Sequence, residues 1–99
     1  MIDLLSKIYV DLNEHVIRKV PHDKEILSTG IIKEHTKICE YCFNIKSSNK
    51  DKNYMLEFKV SIKYILFILN YFISKKIINN DVYKIIEKEY KDLYYIINP

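Results

Sequence analysis

Leu5, Ile8, Leu12 and Val16 recur at the spacing of one helical face, with Leu4, Tyr9 and Ile17 widening the stripe. This predicts a first helix over 3–19. Asp3 is placed to cap its start, and Arg18 and Lys19 sit in the last turn, where cations complement the helix dipole. Val20-Pro21 then stops it, because a residue before proline is pushed out of the α region. A second helix is predicted over 24–45, capped by Asp23 or by Ser28. Its stripe is Ile31, His35, Ile38, Cys42 and Ile45, and it fades into a polar stretch from Lys46 to Asn53.

A third helix is predicted over 54–74. Met55, Phe58, Ile62, Ile65, Leu69 and Phe72 form one stripe, but Leu56, Val60, Phe67, Ile68, Tyr71 and Ile73 lie off it. A helix apolar nearly all round is buried on more than one side. Ser74 to Ile78 form a short connector, Asn79 is a good N-cap, and Asp81 suits the first turn of a fourth helix over 80–97. That helix carries Val82, Ile85, Ile86, Tyr90, Leu93 and Ile97, flanked by Tyr83, Tyr94 and Tyr95. Four helices with short connectors predict an all-α fold, an antiparallel up-down-up-down four-helix bundle, as one domain over 1–99.

Composition narrows the choice. With one Gly and two Pro in 99 residues, the chain lacks the turn residues of a β-sandwich and the glycines of a phosphate loop. It has no Ala or Gln, and Ile outnumbers Leu more than twofold. Periodicity therefore outranks propensity. Nine Tyr and four Phe exceed what one small core needs. The surplus predicts self-association through Leu66, Phe67, Ile68 and Tyr71 of the third helix and Tyr94 and Tyr95 of the fourth.

Net charge is +3, but it is unevenly placed. Residues 44–76 carry seven Lys against two acids, whereas the segments on either side are each slightly acidic. Lys33 and Lys37 are four apart on helix two, Lys59 and Lys63 four apart on helix three, and Lys46, Lys50 and Lys52 line the connector. If the two helices are neighbours, these groups merge into one patch that binds phosphates without reading bases. Tyr41, Tyr54 and Tyr64 lie near it in sequence and could stack on bases. The competing reading is an ordinary solvated lysine face.

Other chemistry is sparse. Cys39-x-x-Cys42 is a single pair, while a structural zinc site wants four ligands. His35, Cys39 and Cys42 share a helical face, but that face is the core stripe, where Cys acts as a small hydrophobe. Arg18 and His22 are spaced almost as in small helical ribonucleases, yet Pro21 breaks the helix between them. Glu87 and Glu89 fit an alternating Lys/Glu face, with Lys91 pairing to Glu87. These readings predict no catalytic residues, no metal and no cofactor. Tyr64–Ile73, the longest apolar run, is too short to cross a bilayer. With no signal peptide, a cytoplasmic, reduced location is expected.

The order of features also carries a resemblance. Leu4-Leu5-Ser6-Lys7-Ile8-Tyr9 opens helix one and Arg18-Lys19-Val20-Pro21 ends it. Ile26 to Gly30 opens helix two, a polar connector and a long apolar helix follow, and Ile78-Asn79 and Tyr83 introduce the fourth. This resembles the accessory variability determinant (Avd) proteins, four-helix partners of reverse transcriptases in diversity-generating retroelements. It is also similar to proteins encoded in 23S rRNA intervening sequences. The resemblance implies a homopentameric barrel of four-helix protomers. It further implies a non-catalytic accessory that binds a reverse transcriptase and RNA or DNA and supports cDNA synthesis. Phe43-Asn44-Ile45-Lys46-Ser47 lacks the Asn-Ile-Ala-Glu-Gly-like segment of the intervening-sequence branch, which favours the Avd side. Leu69-Asn70-Tyr71-Phe72 lacks the Arg that Avd-like members tend to carry there, so Lys59 and Lys63 would supply the charge. The alternatives are an intervening-sequence-type bundle or a purely protein–protein oligomeric module.

Overall fold

The computed structural model describes residues 1–46 and 52–98, and the side chains of all of these except 45, 46 and 52–54. The described residues form four α-helices and no strand: α1 (Ile2–His15), α2 (Glu25–Lys46), α3 (Lys52–Ser74) and α4 (Asn80–Ile97). None of these helices is long and apolar enough to cross a membrane.

The helix ends follow local chemistry, with three departures from expectation. α1 stops at His15, and the predicted last turn is instead a 3-10 turn over Ile17–Lys19. Val16 leaves the helical region at φ −123°, and Val20 is extended, as the proline after it demands. A second 3-10 turn, His22–Lys24, leads from Pro21 into α2. Asp3 lies inside the first turn of α1 and does not cap it; Met1 occupies the cap position. Ser28 is buried within α2, with its hydroxyl unpartnered in the protein, so it is not a cap.

α3 ends in a Schellman motif. The Ile77 amide donates to the Phe72 carbonyl at 2.9 Å and the Lys76 amide to the Ile73 carbonyl at 2.9 Å. Lys76 adopts φ 60° to close it, a conformation that usually falls to glycine. Asn79 then starts α4 as predicted, its Oδ1 accepting from the Val82 amide at 3.0 Å.

The core follows the stripes. Leu5, Ile8, Leu12 and Val16 are buried from the first segment, and Ile31, Ile38 and Cys42 from α2. α3 adds Phe58, Ile65, Ile68, Leu69 and Phe72, and α4 adds Ile86, Tyr90 and Leu93. Each full burial stabilises the fold by about 1.5–3 kcal/mol. Two positions differ on α4. Ile85 is half exposed, and Glu89, expected on the solvated face, is buried at 5% exposure. Glu89 stands between Ile86 and Leu93 on the same helical face, so the stripe turns through it.

Cross-helix pairs define the packing. Gly30 of α2 lies against Tyr64 and Ile68 of α3, and Ser61 of α3 donates to Glu34 of α2 at 3.5 Å. On the other flank Phe58 stacks on Tyr94 with centroids 6.3 Å apart, and Asn70 reaches the Tyr83 hydroxyl at 3.5 Å. α1 packs on α4. α3 thus lies between α2 and α4.

A lysine-rimmed aromatic groove between α3 and α4

The α3–α4 seam is not filled to the surface. A cavity of about 270 Å³ opens along it, with Ile62, Leu66 and Tyr90 at its apolar base. Lys59, Lys63 and Lys91 border it, and Tyr94 and Tyr95 close one end. The helical period explains the layout. Phe58 and Ile65 point to the core, so Ile62 and Leu66 turn toward α4 and Lys59 and Lys63 come to the rim.

The electrostatics are positive with one offset. The Lys59 ammonium sits over the Tyr94 ring, 5.3 Å from its centroid. Hydrogen bonding from Lys59, and then from Asn98, holds the Tyr94 hydroxyl below the usual tyrosine pKa. Tyr95 meets Tyr94 edge-on at 6.0 Å and is 65% exposed. Glu87 is the one carboxylate lining the cavity among the described residues. It pairs with Lys91 at 3.8 Å and accepts from the Tyr83 hydroxyl at 3.3 Å.

The predicted residues fall into three places. Lys59 and Lys63 share this groove with Leu66, Tyr94 and Tyr95, which sequence reasoning had assigned to self-association. Lys33 and Lys37 lie instead beside Tyr64 in a shallow depression between α2 and α3, with Lys37 held by Glu34 at 3.1 Å. Among the described residues, the lysines of α2 and those of α3 thus line different depressions. Lys50 lies outside the described residues, as do the side chains of Lys46, Lys52 and Tyr54. Tyr41 is partly buried; desolvation and a hydrogen bond with Glu57 push its pKa up.

Of the residues expected at a subunit interface, Ile68 is only 4% exposed and belongs to the protomer's own core. Tyr71 is half-buried beneath the Lys75 ammonium. Phe67 points outward at 73% exposure. Val60 and Leu56, two and three turns before it along α3, are also exposed. This outer stripe runs between the two lysine-bearing depressions.

The chemistry-bearing side chains of α2 are buried or half-buried. His35 is buried, and its two ring nitrogens reach the Tyr90 hydroxyl at 2.8 Å and the Leu5 carbonyl at 3.2 Å. A carbonyl can only accept, so Nε2 carries the proton and Nδ1 accepts from Tyr90. Desolvation lowers the His35 pKa, against a smaller opposing effect of the Leu5 bond. Cys39 and Cys42 are free thiols, and burial pushes Cys42 up to about 12. Among the described residues no group of three His, Cys, Asp or Glu side chains could hold a metal ion.

Lys91 is the groove residue that sequence reasoning assigned only to an ion pair with Glu87. Its one signal was position: it lies on α4 beside Tyr94 and Tyr95, and reaches the lysines of α3 only through packing. The chain matches no family model, no curated protein and no solved structure. Its class therefore rests on the fold and the groove: an all-α protein with an aromatic, lysine-rimmed groove on its surface.

Proposed function

We propose that this protein is a non-catalytic adaptor that self-associates and binds nucleic acid through the α3–α4 groove. The observation that carries this reading is the convergence of Lys59, Lys63 and Lys91 around Tyr94 and Tyr95. Ammonium groups neutralise phosphates, and exposed tyrosines offer stacking surface. The non-catalytic assignment is supported by His35, whose nitrogens are both engaged, and by Cys42, whose thiol stays protonated. Two free thiols suit a reducing cytoplasm.

We read the helices as an antiparallel up-down-up-down bundle. The pairs Gly30–Tyr64 and Glu34–Ser61, and likewise Phe58–Tyr94 and Asn70–Tyr83, run in opposite chain directions and support it. A reverse transcriptase as the partner, and a pentamer as the assembly, rest on the Avd resemblance alone.

The test is oligonucleotide binding against salt concentration. Affinity should fall steeply as salt rises, and the charge reversal Lys59→Glu with Lys63→Glu should abolish binding. Unchanged binding in that variant would remove the groove from the proposal. The exposed stripe Leu56, Val60 and Phe67 favours a second reading, a purely protein–protein module. Absence of RNA binding at low salt would select it.

A further inference from the structure

Resting on that nucleic-acid reading, we infer that the α3–α4 groove takes one unpaired base of a single strand, laid against Tyr95, while Lys59, Lys63 and Lys91 hold the phosphates on either side. The groove makes two demands on a ligand. Its base, Ile62, Leu66 and Tyr90, offers no hydrogen-bonding group other than the Tyr90 hydroxyl, which is committed to His35. The ligand part that enters must therefore be largely apolar at its surface. The rim asks for negative charge within a side chain's reach of that part.

A nucleotide meets both demands when its base is free. The face of a base is apolar and the phosphate is joined to it through one sugar. In a duplex the base faces are hidden by stacking, so a duplex reaches the lysines alone. The tyrosines are arranged for this difference. Tyr94 already has Lys59 over its ring, whereas the Tyr95 ring stands edge-on to Tyr94 and is 65% exposed. Tyr95 is the stacking surface, and the Tyr94–Lys59 pair fixes the end of the groove behind it. Glu87 does not repel the strand strongly, because Lys91 and Tyr83 both engage its carboxylate.

The experiment measures binding of the full chain at low salt by fluorescence anisotropy. Three probes are used: a single strand of about ten nucleotides, its blunt duplex, and an abasic strand with the same phosphates. The expected result is a preference of about tenfold for the single strand over both others. Tyr95→Ala should erase that preference and Tyr95→Phe should keep it, since stacking needs the ring and not the hydroxyl. Tyr95 is exposed, so neither change threatens the fold. Equal affinity for all three probes, or a preference that survives Tyr95→Ala, would overturn this inference and leave phosphate binding standing. No binding of any probe would overturn the nucleic-acid reading as well. Occupation of the groove by an acidic, phenylalanine-containing peptide in place of any oligonucleotide would reassign it to a protein ligand.

Discussion

The hydroxyl of Tyr90 donates to Nδ1 of His35 across 2.8 Å in the middle of the core. This bond ties α4 to α2, and Nε2 of the same ring ties α2 to the Leu5 carbonyl of α1. Three helices thus share one polar junction within the core. Such a junction specifies one packing, because a shifted helix would leave a buried nitrogen or hydroxyl unpaired. Tyr90→Phe keeps the ring and removes the donor. We expect it to destabilise the fold by ~1–3 kcal/mol, the cost of leaving Nδ1 buried and unsatisfied. Urea denaturation of the variant checks this, and a loss within error of zero would mean that water replaces the hydroxyl.

Glu89 and His35 pull the pH dependence of stability in opposite directions. Burial, then the neighbouring Asp11 carboxylate, raises Glu89 to about 7; Lys7 opposes this and Asp92 adds to it. Neither oxygen of the buried Glu89 carboxyl has a hydrogen-bond partner in the protein, so the neutral form is the one its setting favours. The folded state therefore binds this proton more tightly than the unfolded chain. Its contribution is complete below about 4.5, the ordinary glutamate value, and is lost as pH rises through about 7. For His35 the folded value is lowered, so its contribution is present above about 6.5 and falls away in acid. Glu89→Gln puts a side chain of the same size in the site that stays neutral at every pH. It should match the wild type near pH 4.5 and exceed it by ~1–3 kcal/mol at pH 8. A wild-type stability that rises between pH 5 and 7 in the same way as that of the Gln variant would contradict a raised Glu89.

Much of this was readable in the chain. The four stripe residues of the first helix, Leu5, Ile8, Leu12 and Val16, are all buried, because a three-to-four spacing leaves one face no other place to go. Asn79 caps its helix because its side chain can accept from an amide three residues on. Glu89 was not legible, since a charge reads as solvent-facing until its neighbours are known. Ile68 lies in the protomer's own core, a place its sequence did not reveal because α3 offers apolar residues on several faces and only packing between α2 and α4 selects the inner one. The groove was half legible: Lys59 and Lys63 show as a basic pair, but Lys91 joins them only through the α3–α4 contact.

Lys76 sits where a glycine would be favoured. Its φ of 60° closes the α3 cap, at a cost of about 1–2 kcal/mol for a residue with a side chain. Lys76→Gly relieves that strain, and the greater freedom of glycine in the unfolded chain returns about 0.5–1 kcal/mol of it. The net expectation is a gain of up to ~1 kcal/mol, seen as a higher denaturation midpoint with an unchanged slope. A loss of stability would show that the Lys76 side chain makes a contribution larger than the backbone strain.

Self-association should depend on the outer stripe of α3 rather than on the residues inside the protomer. Phe67 is 73% exposed, Leu56 62% and Val60 55%, so none of them contributes much to the core. Burying this stripe against a second copy would yield roughly 25 cal/mol for each Å² of apolar surface removed from water. Phe67→Lys with Val60→Lys would place charges in that contact while leaving the α3–α4 groove and the His35–Tyr90 junction untouched. The expected outcome in sedimentation is an assembly for the wild type and a monomer for the variant. Both should show the same helical circular dichroism, with monomer stability changed by less than ~0.5 kcal/mol. A wild type that is monomeric at micromolar concentration would refute self-association. An assembly that survives both lysines would move the contact to another face.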